Sequence, residues 1–275
     1  MKRIVIGGLV LAIALPNLAW PAFAQDTAQA DWEVIRDPRH KSVIAWIPVT
    51  TGLTLAVRCT DGALDTLIAG LPATPTGQRT RPLHIAFGDK PLRQTNWNVT
   101  TDRTVAIADY PAAFARDLRQ GGALKIMIPR GAADGRNLRH DLELTPSSTA
   151  IEEVLTSCQT PLEDPRDALL PDIDERGLPP GMNWARAPRP RYPNTNYATG
   201  YAVVTCLAGA DGSVSRCQVE SQQPANGRFG DAALRAMPDA RVGSTTEATG
   251  QITPRLIGFR VNFYLAGYEP RGTRR

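Results

Sequence analysis

The sequence predicts an α+β protein: a β-rich N-terminal domain with two short helices, a proline-rich linker, and a C-terminal domain ordered strand, strand, helix, strand. Three observations predict this class. Most apolar segments alternate with polar residues at the period of two that half-buried strands require. Few segments place apolar residues at helical spacing. Prolines concentrate between residues 161 and 193, which indicates a boundary between two domains.

The first 24 residues have the composition of a secretory signal peptide. Lys2 and Arg3 precede an apolar run, and residues 22–24 form a small-residue cleavage site. The run is shorter than the roughly 20 residues that cross a bilayer. We therefore expect cleavage and a periplasmic location, with an inner-membrane anchor as the alternative. Mass spectrometry of the N-terminus distinguishes them, because the cleaved chain begins at Gln25 and the anchored chain at Met1.

The charge of the chain does not suggest a nucleic-acid partner. The formal charge of +4 falls to +2 without Lys2 and Arg3, and the basic residues are interspersed with acidic ones. One dense basic stretch, Arg186, Arg189 and Arg191, lies among prolines. A solvated linker explains this stretch better than a phosphate-binding patch does.

The N-terminal domain is predicted over residues 25–160. Segments 53–59 and 138–144 alternate apolar and polar residues and are predicted to be strands. Residues 112–120 are predicted to form a short helix, because a proline stands near its start and a glycine just beyond its end. A second helix is predicted up to residue 158. At its start, Thr149 and Glu152 have the spacing of a capping box.

Four cysteines in an exported chain predict two disulfide bonds. The order of the domains favours Cys59 with Cys158 and Cys206 with Cys217 over the other two connectivities. Cys59 lies on the apolar face of its strand, and Cys158 lies on the apolar stripe of its helix. Both side chains are therefore expected to point into the core.

Residues 161–190 are predicted to be an extended, semi-rigid linker because of their proline content. The C-terminal domain is predicted over residues 191–266, followed by a disordered tail at residues 267–275. In this domain Asp211-Gly212 marks a hairpin turn. Opposed residue numbers then sum to 423, which places Cys206 opposite Cys217 on one face of the hairpin. A helix at residues 230–237 and a last strand from about residue 257 follow.

Five motifs in the C-terminal domain carry a family resemblance. They are Arg191-Tyr192-Pro193, Gly200 to Val204, Asp211 to Val214, Phe229 to Leu234 and Phe259 to Phe263. In this order and spacing the segment 188–265 resembles the TonB C-terminal domain. The resemblance covers less than a third of the chain.

The resemblance implies a three-stranded antiparallel sheet packed against helices, in a periplasmic protein that contacts outer-membrane receptors. In that family the final strand can accept an extended receptor segment by strand addition. The corresponding partner-binding edge here consists of Gly258, Phe259, Arg260, Val261, Asn262, Phe263 and Tyr264. The alternative is a protected strand of the core. A homodimer through this domain is a further expectation, and no cofactor is expected.

The chain departs from TonB itself in its N-terminal region. TonB keeps a membrane helix with a functional histidine, whereas the apolar run here contains no histidine and a cleavage site follows it. The leading hypothesis is therefore a periplasmic protein-binding module of the cell envelope. An inner-membrane-anchored energy transducer for transmembrane transport is the alternative.

The sequence contains no recognisable catalytic or metal-binding pattern. The three histidines, His40, His84 and His140, are far apart, and no C-x-x-C, nucleophile elbow, zinc-protease motif or phosphate-binding glycine loop is present. No catalytic residue and no metal ligand is therefore predicted, and the protein is expected not to be an enzyme. A hydrolase with a site assembled across both domains is a third hypothesis.

Overall fold

The computed structural model describes residues 31–49, 51–147, 149–173, 178–179, 181–245 and 252–266. The predicted signal peptide at residues 1–24 and the predicted tail at residues 267–275 lie outside the described residues. Within the described ranges the chain combines antiparallel strands with three short α-helices, which confirms the α+β class. None of these helices has the length and apolar content needed to cross a bilayer.

Nine of the described strands form one antiparallel sheet, which we call the N-terminal sheet. They are β1 (Glu33–Asp37), β2 (Ser42–Pro48), β3 (Thr54–Thr60), β4 (Ala63–Ala69), β5 (Thr80–Phe87), β6 (Arg93–Val99), β7 (Ala106–Ile107), β8 (Gly122–Ile128) and β9 (Leu138–Leu144). Their order across the sheet is β1-β2-β3-β4-β7-β6-β5-β8-β9. Both β3 and β9 bury alternate side chains, as their sequence patterns predict.

Two helices pack against this sheet: α1 (Pro111–Gln120) and α2 (Ala150–Ser157). The bounds of α1 agree with the prediction. At the start of α2 the predicted capping box is wrong, because Thr149 already has helical dihedral angles and its side chain makes no cap bond. Instead the Ser147 Oγ accepts the backbone N–H of Ile151 at 3.2 Å. The first backbone N–H groups of a helix have no partner within the helix, and here Ser147, which is not part of the predicted capping box, accepts one of them.

The predicted disulfide between Cys59 and Cys158 is confirmed, with the two Cα atoms 5.6 Å apart. It joins β3 to the end of α2. Cys59 is buried and Cys158 is half-buried against the same hydrophobic cluster, which includes Leu55, Leu118 and Leu155. The bridge therefore crosses the interface between the sheet and its helix.

The C-terminal part contains five described strands and one α-helix. They are β10 (Met182–Arg186), β11 (Thr199–Ala208), β12 (Val214–Gln223), α3 (Phe229–Arg235), β13 (Arg241–Ser244) and β14 (Arg255–Tyr264). Strands β12, β11 and β14 form a three-stranded antiparallel sheet in that order, which we call the C-terminal sheet. Strand β11 is central, so β14 lies at an edge.

The hairpin of β11 and β12 has the predicted register over its middle. Val204 lies opposite Val219. Arg216 then adopts a left-handed conformation with φ of 48°, and the register shifts by one residue towards the turn. The predicted Cys206–Cys217 bridge is confirmed, with the Cα atoms 4.1 Å apart.

One face of the C-terminal sheet carries a hydrophobic core separate from that of the N-terminal sheet. Phe229 of α3 packs there with Val204, Ile257 and Phe259. The helix ends two residues earlier than predicted, and a 3-10 turn at Met237–Asp239 follows it. Proline in this turn cannot continue the α-helical hydrogen-bond pattern.

The segment at residues 161–190, predicted to be an extended linker, is more ordered than its composition indicates. Residues Pro165–Leu169 form a 3-10 helix, and β10 pairs with β13. The buried Arg116 of α1 binds Asp167 with its Nε and one terminal nitrogen at 2.6 and 2.7 Å and donates to the Pro161 carbonyl at 2.9 Å. Leu162 packs against the core of the N-terminal sheet and Leu178 belongs to that of the C-terminal sheet, so the segment contacts the body of the protein through both charged and apolar side chains.

Candidate functional site

Strand β14 is the predicted partner-binding edge, and one side of its backbone is open. It pairs with β11 over ten residues, and the Leu265 N–H donates to the Ala198 carbonyl in the same register. Since antiparallel residues alternate in direction, the backbone groups of Val261 point towards β11 and those of Asn262 and Tyr264 point away. No backbone hydrogen bond joins 256–264 to any described segment other than β11.

The first half of the predicted edge is covered. Gly258 is buried, and a β-carbon placed on it would lie 2.0 Å from the Tyr110 hydroxyl and 3.1 Å from Cγ of Pro171. Asn262 and Tyr264 are exposed. The predicted edge runs from Gly258 to Tyr264. Only its C-terminal half is therefore open.

A buried ion pair joins β14 to the segment before α1. Arg260 donates to Asp109 Oδ1, which also accepts Asn98 Nδ2 at 3.0 Å. The Asp109 backbone carbonyl accepts the Ser221 hydroxyl of β12 at 2.9 Å. Burial raises the pKa of the Asp109 carboxyl, whereas Arg260 and the two hydrogen bonds to its charged form oppose that rise. This pair ties the C-terminal sheet to the N-terminal sheet.

Two further carboxylates hold the same interface. Asp65 of β4 accepts Gln223 Nε2 of β12 at 2.6 Å. Glu220 of β12 accepts Thr205 and Gln218 of its own sheet and forms an ion pair with Arg166 at 3.1 Å. The face of the C-terminal sheet opposite α3 is thus covered by polar contacts.

Some buried polar atoms at this interface have no hydrogen-bond partner among the described residues. They are Asp109 Oδ2, the hydroxyls of Tyr110 and Tyr201, and Arg260 Nε. Burial raises the pKa values of both tyrosines, whose hydroxyls are protonated at neutral pH as those of unperturbed tyrosines also are. An interface with unpaired polar atoms is held less firmly than one in which every group is satisfied.

The open end of β14 is also the more apolar end. Tyr197, Tyr264 and Leu265 expose 36%, 44% and 49% of their surfaces, and the hydrogen bond from Leu265 to Ala198 brings them together. The Arg79 guanidinium lies 4.9 Å from the Tyr264 ring centroid. Beside them lies a cleft of about 720 Å³ between the two sheets. Exposed apolar side chains next to open backbone groups favour a protein contact.

Replacing Gly258 by alanine is expected to loosen the contact between the two sheets, because the new β-carbon collides with the Tyr110 hydroxyl. The midpoint temperature of thermal unfolding should fall, and trypsin should cut between the sheets more readily. Tyr110→Phe removes an unpaired hydroxyl and should leave stability nearly unchanged. Adding Tyr110→Phe to Gly258→Ala should restore part of the loss. No improvement in the double variant would contradict the proposed collision.

A catalytic alternative would need a cluster of perturbed groups in a cavity. A cavity of about 180 Å³ is lined by Asp109, Tyr110 and Asp117, and burial raises the pKa of each group. Asp109 is bound to Arg260, and the described residues of the lining include no histidine, serine or cysteine. No group of three metal-ligating side chains occurs in the part of the chain that the structure describes.

Sequence reasoning predicted β14 as the partner-binding edge but did not identify the side chains that hold this strand against the rest of the protein. Asp109 and Tyr110 precede a helix and belong to no motif, and Asp65 looks like any polar residue of a strand. Their partners lie far away along the chain, 151 residues in the case of Asp109 and Arg260. A single sequence carries no signal for such a pair.

Comparison with known proteins adds little to this geometry. No protein-family model matches the chain, and no curated protein matches it. A solution NMR structure of the Pseudomonas aeruginosa TonB C-terminal domain is similar at 22% identity, covering 33% of this chain and 93% of that one. The TM-score is 0.27, which does not establish a shared fold.

Proposed function

We propose that the chain is a non-enzymatic, periplasmic protein-binding module that accepts an extended partner segment at the open end of β14. The proposal rests on Asn262 and Tyr264, two exposed residues whose backbone hydrogen-bonding groups are directed away from β11. Tyr197 and Leu265 add apolar surface for side chains of the partner. The motif resemblance in residues 188–265 favours an outer-membrane receptor as that partner.

Asn262→Pro is the sharpest test, since it removes one outward backbone N–H and leaves the hydrogen bonds to β11 in place. We expect the variant to fold and to lose at least about tenfold in affinity for a captured envelope protein, as one lost hydrogen bond and one steric clash would cause. Asn262→Ala keeps the N–H and should bind like the original protein. Val261→Pro is a poor test, because its N–H donates within the sheet.

The measurement uses the protein as bait on an envelope extract, followed by titration of peptides from whatever protein is recovered. An extended peptide should bind the original protein and Asn262→Ala alike, and binding should fall with Asn262→Pro. Equal affinity for all three would exclude strand addition at this edge. The predicted homodimer would use the same edge, so sedimentation of Asn262→Pro tests that as well.

A further inference from the structure

A second site lies on the C-terminal part, away from the β14 edge. A cavity of about 690 Å³, which we call the concavity, lies between the segment after β10 on one side and α3 with the 3-10 turn that follows it on the other. Its described lining contains four arginines and a single carboxylate: Arg186, Arg189, Arg191, Arg235 and Asp239. The formal charge of this lining is +3. The sequence showed three of these arginines as one basic stretch, which by itself favoured a solvated linker over a phosphate-binding patch. The fold adds Arg235 and places all four around the concavity, which is the reason to revise that interpretation.

These arginines are not used to hold the protein together. All four side chains are exposed, and none of them lies within 4 Å of a carboxylate among the described residues. Arginines elsewhere differ in this respect: Arg136, which is also exposed, binds Asp134 at 2.5 Å. Four like charges with only one carboxylate, Asp239, in the same lining repel one another, and a bound anion relieves that repulsion.

The chain holds the arginines in a defined arrangement. Arg186 ends β10, which pairs with β13, and Pro188 and Pro190 fix the backbone between the next arginines. Across the concavity, Ala232 and Ala236 present small side chains near Arg235, which leaves the space open. The backbone would therefore lose little conformational freedom on binding, and the main ordering cost would fall on the arginine side chains.

We propose that this concavity binds a ligand that carries clustered phosphate groups. The planar guanidinium matches a phosphate with two parallel hydrogen bonds, and several of them around one hollow fit more than one phosphate. A single surface arginine would bind any anion weakly. The proposal does not depend on the β14 edge, so either can fail without the other.

The test replaces all four arginines by glutamine in the full chain. Isothermal titration with inorganic pyrophosphate, and co-sedimentation with phosphatidylglycerol–phosphatidylcholine vesicles against pure phosphatidylcholine vesicles, measure binding. We expect about threefold weaker binding for each single variant and on the order of 100-fold for the quadruple one, because exposed charge contacts contribute modestly and their losses add. Arg235→Lys, which keeps the charge and loses the fork, should weaken binding less than Arg235→Gln.

A matched control replaces by glutamine four other exposed arginines whose guanidinium groups have no carboxylate partner among the described residues: Arg39, Arg130, Arg139 and Arg216. It lowers the net charge by the same amount and should bind like the original protein. Binding of pyrophosphate alone would identify a soluble ligand, and binding of vesicles alone a lipid headgroup. Binding of neither, or an equal loss in the matched control, would overturn the proposal.

Discussion

Replacing Cys59 and Cys158 together by alanine is expected to lower the free energy of unfolding of the N-terminal sheet by about 4 to 5 kcal/mol. The two cysteines are 99 residues apart, and in the chain-entropy model a bridge of that span removes this much freedom from the unfolded chain. Both ends also lie at the contact between β3 and α2, so the loss should expose the core there.

The second disulfide provides the matched comparison. Cys206 and Cys217 are 11 residues apart, and their replacement by alanine should cost about 3 kcal/mol. Urea unfolding followed by the fluorescence of the buried Trp97 reports on the N-terminal sheet, and Trp184, which packs on Phe259, reports on the C-terminal core. Equal losses for both pairs, or a larger loss at the hairpin, would contradict the chain-entropy account.

Arg260→Met is expected to lower the free energy of unfolding by about 3 to 5 kcal/mol, because it leaves the buried Asp109 carboxylate without its counter-charge. Adding Asp109→Asn removes the stranded charge and should recover most of that loss. The exposed Arg79→Met, which removes only the contact with Tyr264, should cost less than about 1 kcal/mol.

The pH dependence of Arg260→Met follows from the direction of the Asp109 shift. Burial already raises the pKa of this carboxyl, and loss of Arg260 removes the charge that opposes the rise. The folded-state pKa of Asp109 then lies above the unfolded-state value of about 3.9. As the pH rises from about 3.9 towards the folded-state pKa, the free energy of unfolding therefore falls. The destabilisation should therefore be smaller near pH 4 than at pH 7. The same loss at both pH values would show that Asp109 is not the cause.

Prediction from the sequence succeeded where the pattern is local. The strands at 53–59 and 138–144 follow from a pleat that repeats every two residues, and α1 from its flanking proline and glycine. The prediction of an extended linker failed in the proline-rich segment. There β10 pairs with β13, about 60 residues away, and a five-residue strand without any β-branched residue is not recognisable from composition.

The sequence by itself determined the Cys206–Cys217 bridge, because an Asp-Gly turn and alternating side chains set the hairpin register within a dozen residues. It also determined that β14 is a two-faced strand. Only the tertiary structure decided which part of that strand stays open. Tyr110 covers Gly258, and Asp109 binds Arg260, because folding brings distant segments together by burial and charge, which no periodicity in the chain encodes.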